Sequence, residues 1–219
     1  MEHEKQEYLQ AWKSLHSGVD PGANVWVRGY LQVMLSISRL LSTLKVSPNT
    51  FTLVSGISII ASSGYFLASE NLLAIAMLAF IGLLLDGVDG SLAILQGRAS
   101  KFGAVLDSVN DRIQESILYI SVSWILFSSG FSLWITTALL LSLTATLLLE
   151  YARARAQVEV KVTIWERPTR VIVITFFIIA ASWFKAFDAE LLYAMSALAM
   201  VLSGVGLYQQ FQDAKRQLV

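Results

Sequence analysis

Residues 116–149 read SILYISVSWILFSSGFSLWITTALLLSLTATLLL, 34 positions without one charged side chain. As a single helix this run would be about 51 Å long at 1.5 Å per residue, too long for a bilayer core about 30 Å thick. Ser128-Ser129-Gly130 near its middle is the natural break, giving one span that ends near Phe127 and another from about Ser132 to Leu149. Outward from this hairpin, Phe51–Ala68 is uncharged and apolar, and Asn71–Leu85 is apolar until it meets Asp86. Val171–Phe184 and Leu191–Gln212 supply two more spans, six in all.

The basic residues agree with that number. Six spans place both termini on one side, with the connections near Arg98–Lys101 and from Arg153 to Arg170. Of 16 Lys and Arg, 15 then share this face and only Lys185 lies opposite. Basic residues concentrate on the cytoplasmic side, so the shared face is cytoplasmic. Composition points the same way. The chain is 55% hydrophobic and 15% charged, against about 45–50% and about 25% in soluble domains. Lys and Arg balance Asp and Glu at 16 each, which excludes a basic nucleic-acid binder. With no cysteine there is no disulfide framework, thiol nucleophile or cysteine-held metal, and both histidines, His3 and His16, lie in the polar N-terminal arm. Met1–Gln10 lacks the pattern of a cleaved signal, so the chain is read as mature. Its stretch from Ala11 to His16 carries no recognisable chemistry.

Asn24–Leu44 differs from the spans. Trp26, Tyr30, Met34, Leu40 and Leu41 alternate with Arg28, Gln32, Ser36 and Arg39, between Pro21 and Pro48. This suits an amphipathic helix in the cytoplasmic interface, or equally a solvated helix packed on the bundle. The expected fold is therefore all-α and integral to the membrane: six transmembrane helices with both termini cytoplasmic, preceded by an interfacial amphipathic helix. Residues 1–50 form the arm with that helix, and residues 51–219 form the six-span domain.

The second span ends in Asp86-Gly87-Val88-Asp89-Gly90, and the third begins with Asp107 and Asp111. Spacings of three and four put each pair on one helical face. The two helices are consecutive and antiparallel, so their faces can meet. Carboxylates near a bilayer are costly, about 2.5–3.5 kcal/mol each at a helix centre and less near the interface, and four together also repel. Mg²⁺ or Mn²⁺ on these hard oxygen ligands satisfies such a cluster, and a two-metal site suggests work on a phosphate. The plain alternative is a set of solvated cap and boundary residues. Small residues at Gly87, Gly90 and Gly103 allow helices and a nucleotide to approach closely.

The run from Asp86 to Asp111 resembles the signature of the CDP-alcohol phosphotransferase family, Asp-x2-Asp-Gly-x2-Ala-Arg-x8-Gly-x3-Asp-x3-Asp. Every spacing matches, and seven of the eight fixed residues are present as Asp86, Asp89, Gly90, Ala93, Gly103, Asp107 and Asp111. The departure is Ile94, where the family carries an Arg that helps hold the nucleotide. Arg98, one turn later, is a candidate substitute; the alternative is a divergent member with an altered reaction.

The resemblance implies that Asp86, Asp89, Asp107 and Asp111 hold two divalent cations, Mg²⁺ or Mn²⁺, against a CDP pyrophosphate. Asp111 is the implied catalytic base toward an attacking hydroxyl. Gly90, Ala93 and Gly103 leave room for the nucleotide, with Asp86, Asp107 and Arg98 also on the CDP side. Asn49 and Thr52, in Pro48-Asn49-Thr50-Phe51-Thr52, match the family's Pro-Asn-x-x-Thr opening of the first span, although a helix cap explains them as well. Tyr151–Ala156 and Glu166–Arg170 resemble segments of the branch making phosphatidylinositol phosphate and its archaeal counterpart. There Arg153, Arg155, Arg167 and Arg170, with Lys101, are the implied receptors of an acceptor phosphate, a task suited to the planar fork of Arg. The positive-inside rule alone also accounts for them. Arg153 and Arg155 sit two apart, so one helix cannot turn both fully toward a cavity.

The implied reaction passes a phospho-substituent from a CDP-linked lipid such as CDP-diacylglycerol to a polyol phosphate, releasing CMP, in the cell membrane and as a homodimer. Two rivals remain. A cation transporter predicts polar residues across the whole span, whereas Ile57–Phe66 and Leu72–Phe80 are largely apolar. A non-catalytic scaffold is kept alive by Ile94 and opposed by the retention of all four aspartates.

Overall fold

The structure, a computed structural model, describes residues 2–15, 25–156 and 163–218. Helices follow one another throughout: α1 Glu2–Leu15, α2 Val25–Thr43, α3 Pro48–Ala68, α4 Leu72–Leu95, α5 Lys101–Ser128, α6 Leu133–Ala156, α7 Arg167–Trp183 and, after a 3₁₀ turn at Lys185–Phe187, α8 Asp188–Leu218. No strand occurs among the described residues. His16, Pro21 and Asn24 lie outside them.

The boundaries have local causes. Ser47 Oγ accepts the Thr50 N–H at 3.1 Å and Pro48 takes the first helical position of α3, a residue suited to that place because its missing N–H is an orphan there anyway. Asn71 Oδ1 caps α4 through the Ala74 N–H at 2.9 Å, and Ser100 Oγ caps α5 through the Gly103 N–H at 3.0 Å. The long uncharged run breaks where its Ser-Ser-Gly predicts. Gly130 adopts φ 85°, and the Phe131 N–H returns to the Leu126 carbonyl at 3.0 Å. This is the left-handed helix stop that glycine enters without Cβ strain. Gly97 ends α4 the same way at φ 60°. Lys45 and Glu70 hold the same conformation at φ 57° and φ 53° despite their side chains.

Among the described residues, four helical segments are long and apolar enough to cross a bilayer: Pro48–Ala68, Leu72–Leu95, Leu133–Arg155 and Lys185–Gln217. α5 carries Lys101, Asp107, Asp111, Arg112 and Glu115 in its first 15 residues and is uncharged only from Ser116. α7 has 17 residues, roughly 25 Å of helix.

The chain divides into two compact units, residues 1–58 with 82–111, and residues 59–81 with 112–219. In the first, Tyr8 of α1 and Leu31 and Leu35 of α2 form a buried apolar cluster, against which Leu9, Trp12, Ile94 and Leu95 pack. Met34 and Ser38 of α2 are buried too, while Val33, Ile37 and Leu40 on another face stay exposed. In the second, α6 and α8 pack along each other. The Ser142 hydroxyl donates to the Ala199 carbonyl at 3.0 Å, and the Thr175 hydroxyl donates to the Ala76 carbonyl at 3.2 Å. Such bonds satisfy hydroxyls where water is scarce.

Candidate metal and substrate site

The first unit gathers the acids. Carboxylate oxygens of Asp86 and Asp89 on α4 and of Asp107 on α5 all lie within 4.8 Å of one another. Asp89 is 5% exposed. Its Oδ2 accepts a 2.5 Å hydrogen bond from the Thr52 hydroxyl of α3, and its Oδ1 accepts the Gly90 N–H at 2.7 Å. Thr52 Oγ1 also lies 3.1 Å from the Pro48 carbonyl; with one hydroxyl proton to give, the shorter contact to a charged acceptor is the stronger. Asp111 is buried one turn beyond Asp107 and stands outside the group of three.

The glycines differ in use. A Cβ on Gly90 would meet no atom within 4 Å, so the space beside Asp89 is open to a ligand. At Gly103 a Cβ would sit 3.1 Å from Asn49 Oδ1, which puts Asn49 against the start of α5. Gly87 serves a neighbouring helix: the Tyr30 hydroxyl of α2 occupies the position its Cβ would take. Gly56 of α3 likewise admits the Asn110 amide from α5, a close approach between the helices bearing Thr52 and Asp107 that the motif does not announce. Ala93 and Ile94 are half-buried at the end of α4, and Arg98 on the α4–α5 turn and Lys101 at the start of α5 are exposed.

These residues fit a divalent cation. Three hard carboxylate donors on rigid helices are held close enough to share one divalent cation.

The second unit gathers acids and bases together. Arg170, fully buried, is paired with the fully buried Glu115 and donates to the Trp165 carbonyl; its Nη2 meets Glu115 Oε2 at 3.1 Å. Arg112 Nη1 reaches Glu150 at 3.0 Å and Glu115 at 3.3 Å. Arg153 forks onto Glu166 at 2.5 and 2.9 Å. Arg167 is buried, with Nη2 3.5 Å from Gln114 Oε1. Arg155 is exposed, so it and Arg153 do face different ways. Burial pushes the Glu166 carboxyl up, but hydrogen bonds from Arg153 and from the Thr163 N–H and hydroxyl outweigh it and hold Glu166 below its ordinary range. The roles of Glu115 and Glu150 escape a motif search, yet they bracket the run 116–149. A hairpin with its turn at Gly130 returns both ends to one side.

Similarity to known proteins agrees with this geometry. The profile of the CDP-alcohol phosphatidyltransferase family matches residues 45–205. The chain is 30% identical to archaetidylinositol phosphate synthase of Pyrococcus horikoshii over 191 residues, covering 85% of this chain and 93% of that one. It is 31% identical to phosphatidylinositol phosphate synthase of Corynebacterium glutamicum over 141 residues, 63% of this chain and 64% of that one. Its fold is that of Mycobacterium tuberculosis phosphatidylinositol phosphate synthase. The crystal structure with CDP-DAG bound superposes with a TM-score of 0.74 at 24% identity, covering 84% of this chain and 94% of that one. The structure in complex with manganese and citrate gives 0.73, also at 24% identity, covering 83% and 88%. The chain belongs to the CDP-alcohol phosphatidyltransferase family. It is a membrane-bound, metal-binding transferase of phospholipid biosynthesis, and members of the family use divalent cations.

Proposed function

We propose that this enzyme moves a phosphatidyl-type group from a CDP-linked lipid, such as CDP-diacylglycerol, to the hydroxyl of a polyol phosphate, such as inositol phosphate or glycerol phosphate. The acceptor oxygen bonds to the phosphorus bearing the lipid, the bond from that phosphorus to the CMP oxygen breaks, and CMP departs. The observation that carries the reading is the trio of Asp86, Asp89 and Asp107, with oxygens within 4.8 Å, inside the family motif.

Asp86, Asp89, Asp107 and Asp111 are the residues to hold two divalent cations, Mg²⁺ or Mn²⁺, which supply charge neutralisation on phosphate oxygens. Asp111, buried and outside the group of three, takes the acceptor's proton as general base. Thr52 steadies Asp89. Asn49, Gly90, Ala93 and Gly103 line the nucleotide side with Arg98. Lys101, Arg153, Arg155, Arg167 and Arg170 are the candidates for the acceptor's phosphate, supported by the names of the relatives, which make inositol phosphate lipids.

The enzyme crosses the cell membrane six times, with both termini and the aspartates facing the cytoplasm, and works as a homodimer. Exposed apolar stripes support α5 and α7 as spans although charge or length sets them apart from the other four: Ile120, Trp124 and Phe127 on one, Ile172 and Phe176 on the other. The exposed Val33, Ile37 and Leu40 support α2 in the interface.

The test is CMP release from CDP-diacylglycerol by purified protein in detergent, with and without Mg²⁺ or Mn²⁺, against inositol phosphate, glycerol phosphate, serine and inositol. Metal-dependent release with a polyol phosphate is expected, and Asp111→Asn is expected to lower it by about 10²–10⁴-fold. Release with serine or inositol alone would overturn the acceptor assignment.

A further inference from the structure

The turn of α4 that presents Asp86 and Asp89 is gripped by helices outside the family motif. Ser91 Oγ donates to the Gly87 carbonyl at 2.7 Å, and the Tyr8 hydroxyl lies 2.6 Å from the same Ser91 Oγ. Each hydroxyl has one proton, and that of Ser91 is committed to Gly87. Tyr8 is therefore the donor, and the bonds run in series from Tyr8 to Ser91 to the Gly87 carbonyl. The next carbonyl, Val88, accepts the Ser38 hydroxyl of α2 at 3.0 Å. Tyr30 of α2 fills the missing side chain of Gly87. Two consecutive carbonyls between Asp86 and Asp89 thus take hydroxyl bonds besides their helical ones, which a carbonyl's second lone pair permits.

The seat for α1 is apolar. Tyr8, 2% exposed, packs with Leu31 and Leu35, and Leu9 and Trp12 pack there beside Ile94. The residue that replaces the motif's Arg is therefore part of the surface on which α1 docks. Burial raises the Tyr8 hydroxyl above its ordinary value, the Ser91 contact only partly offsetting it, so Tyr8 remains a donor throughout the neutral range.

We infer that Tyr8 is a positioning residue of the metal centre, fixing through Ser91 the α4 turn that carries Asp86 and Asp89, with Ile94 as the anchor of its helix. The inference rests on the metal-centre reading above. It is tested with the full chain in detergent, using Mn²⁺ as probe and electron paramagnetic resonance of free Mn²⁺ to measure affinity. Amide exchange over residues 86–92 is followed in parallel in metal-free protein. Tyr8→Phe, which keeps the ring and removes the donor, is expected to weaken Mn²⁺ binding about fivefold and to speed exchange in that segment. Ser91→Ala combined with Tyr8→Phe is expected to match Ser91→Ala alone, because both break one series. Gln10→Ala, on the exposed side of α1, serves as the unaffected control. If wild type binds Mn²⁺ while Tyr8→Phe matches it in affinity and exchange, the role of Tyr8 is overturned and the metal centre stands. If wild type binds no Mn²⁺, the metal centre itself fails, and the role of Tyr8 with it.

Discussion

The two units arrange buried charge differently. Around Asp89, three carboxylates on two stiff helices are brought to within 4.8 Å of one another, with the Thr52 hydroxyl bonded to one of them. Around Arg170, every carboxylate meets a guanidinium: Glu115 with Arg170 and Arg112, Glu150 with Arg112, Glu166 with Arg153. The first arrangement offers three hard oxygens to a cation from outside. The second answers its own carboxylates and still leaves Arg155 exposed. A site that recruits metal is built from like charges, and a site that holds helices together is built from opposite ones.

Breaking each arrangement should therefore be read in a different measurement, activity for the first and stability for the second. Asp107→Asn removes one of three gathered charges. Activity is expected to fall at least about hundredfold, with Mn²⁺ affinity falling alongside it; unchanged activity would remove Asp107 from the site. Glu115→Leu leaves Arg170, in a dry interior, with the longer 3.7 Å contact to Glu150, at an expected cost of about 3–5 kcal/mol, and added Mn²⁺ should not restore it. Glu115→Leu together with Arg170→Met should recover most of the loss, as read by detergent-solubilised thermal melts.

Acid sharpens the contrast further. Glu166 is held below its ordinary value of 4.5 in the folded chain. It therefore binds fewer protons folded than unfolded, and its contribution is complete above about that pH. The Tm difference between wild type and Glu166→Gln should be level near neutrality and shrink as pH falls through 4.5 and below; a difference that grows on acidification would refute the pairing with Arg153. The smallest expected change is a calibration free of charge pairing. Glu70→Gly relieves a left-handed residue and should raise stability by about 1 kcal/mol, a few degrees of Tm, with or without metal.

Much of this was legible in the chain. The helix break at Ser128–Gly130 follows from length against bilayer thickness, and the meeting of Asp86, Asp89 and Asp107 follows from spacing on two consecutive helices. Arg153 and Arg155 diverge because two residues subtend about 200° of helix. The missed features are pairings across long separations. Tyr8 and Ser91 are 83 positions apart, and Glu115 and Arg170 are 55 apart, with neither partner marked by a local pattern. Tyr30 at Gly87 was hidden for another reason: a glycine shows that something comes close, not what.

On the six-span reading, the Glu115–Arg170 pair also orders the assembly of the protein in the membrane. The uncharged part of α5, Ser116–Ser128, is 13 residues, about 20 Å, too short to partition into lipid alone with Glu115 at its edge. It must enter together with α6 as a helical hairpin. α7 follows with Arg170 at its leading turn, a charge lipid would reject unless Glu115 already waited inside. The translocation machinery therefore cannot release these segments one by one, and a ribosome stalled before residue 170 would leave a hairpin whose buried acid is answered by Arg112 alone.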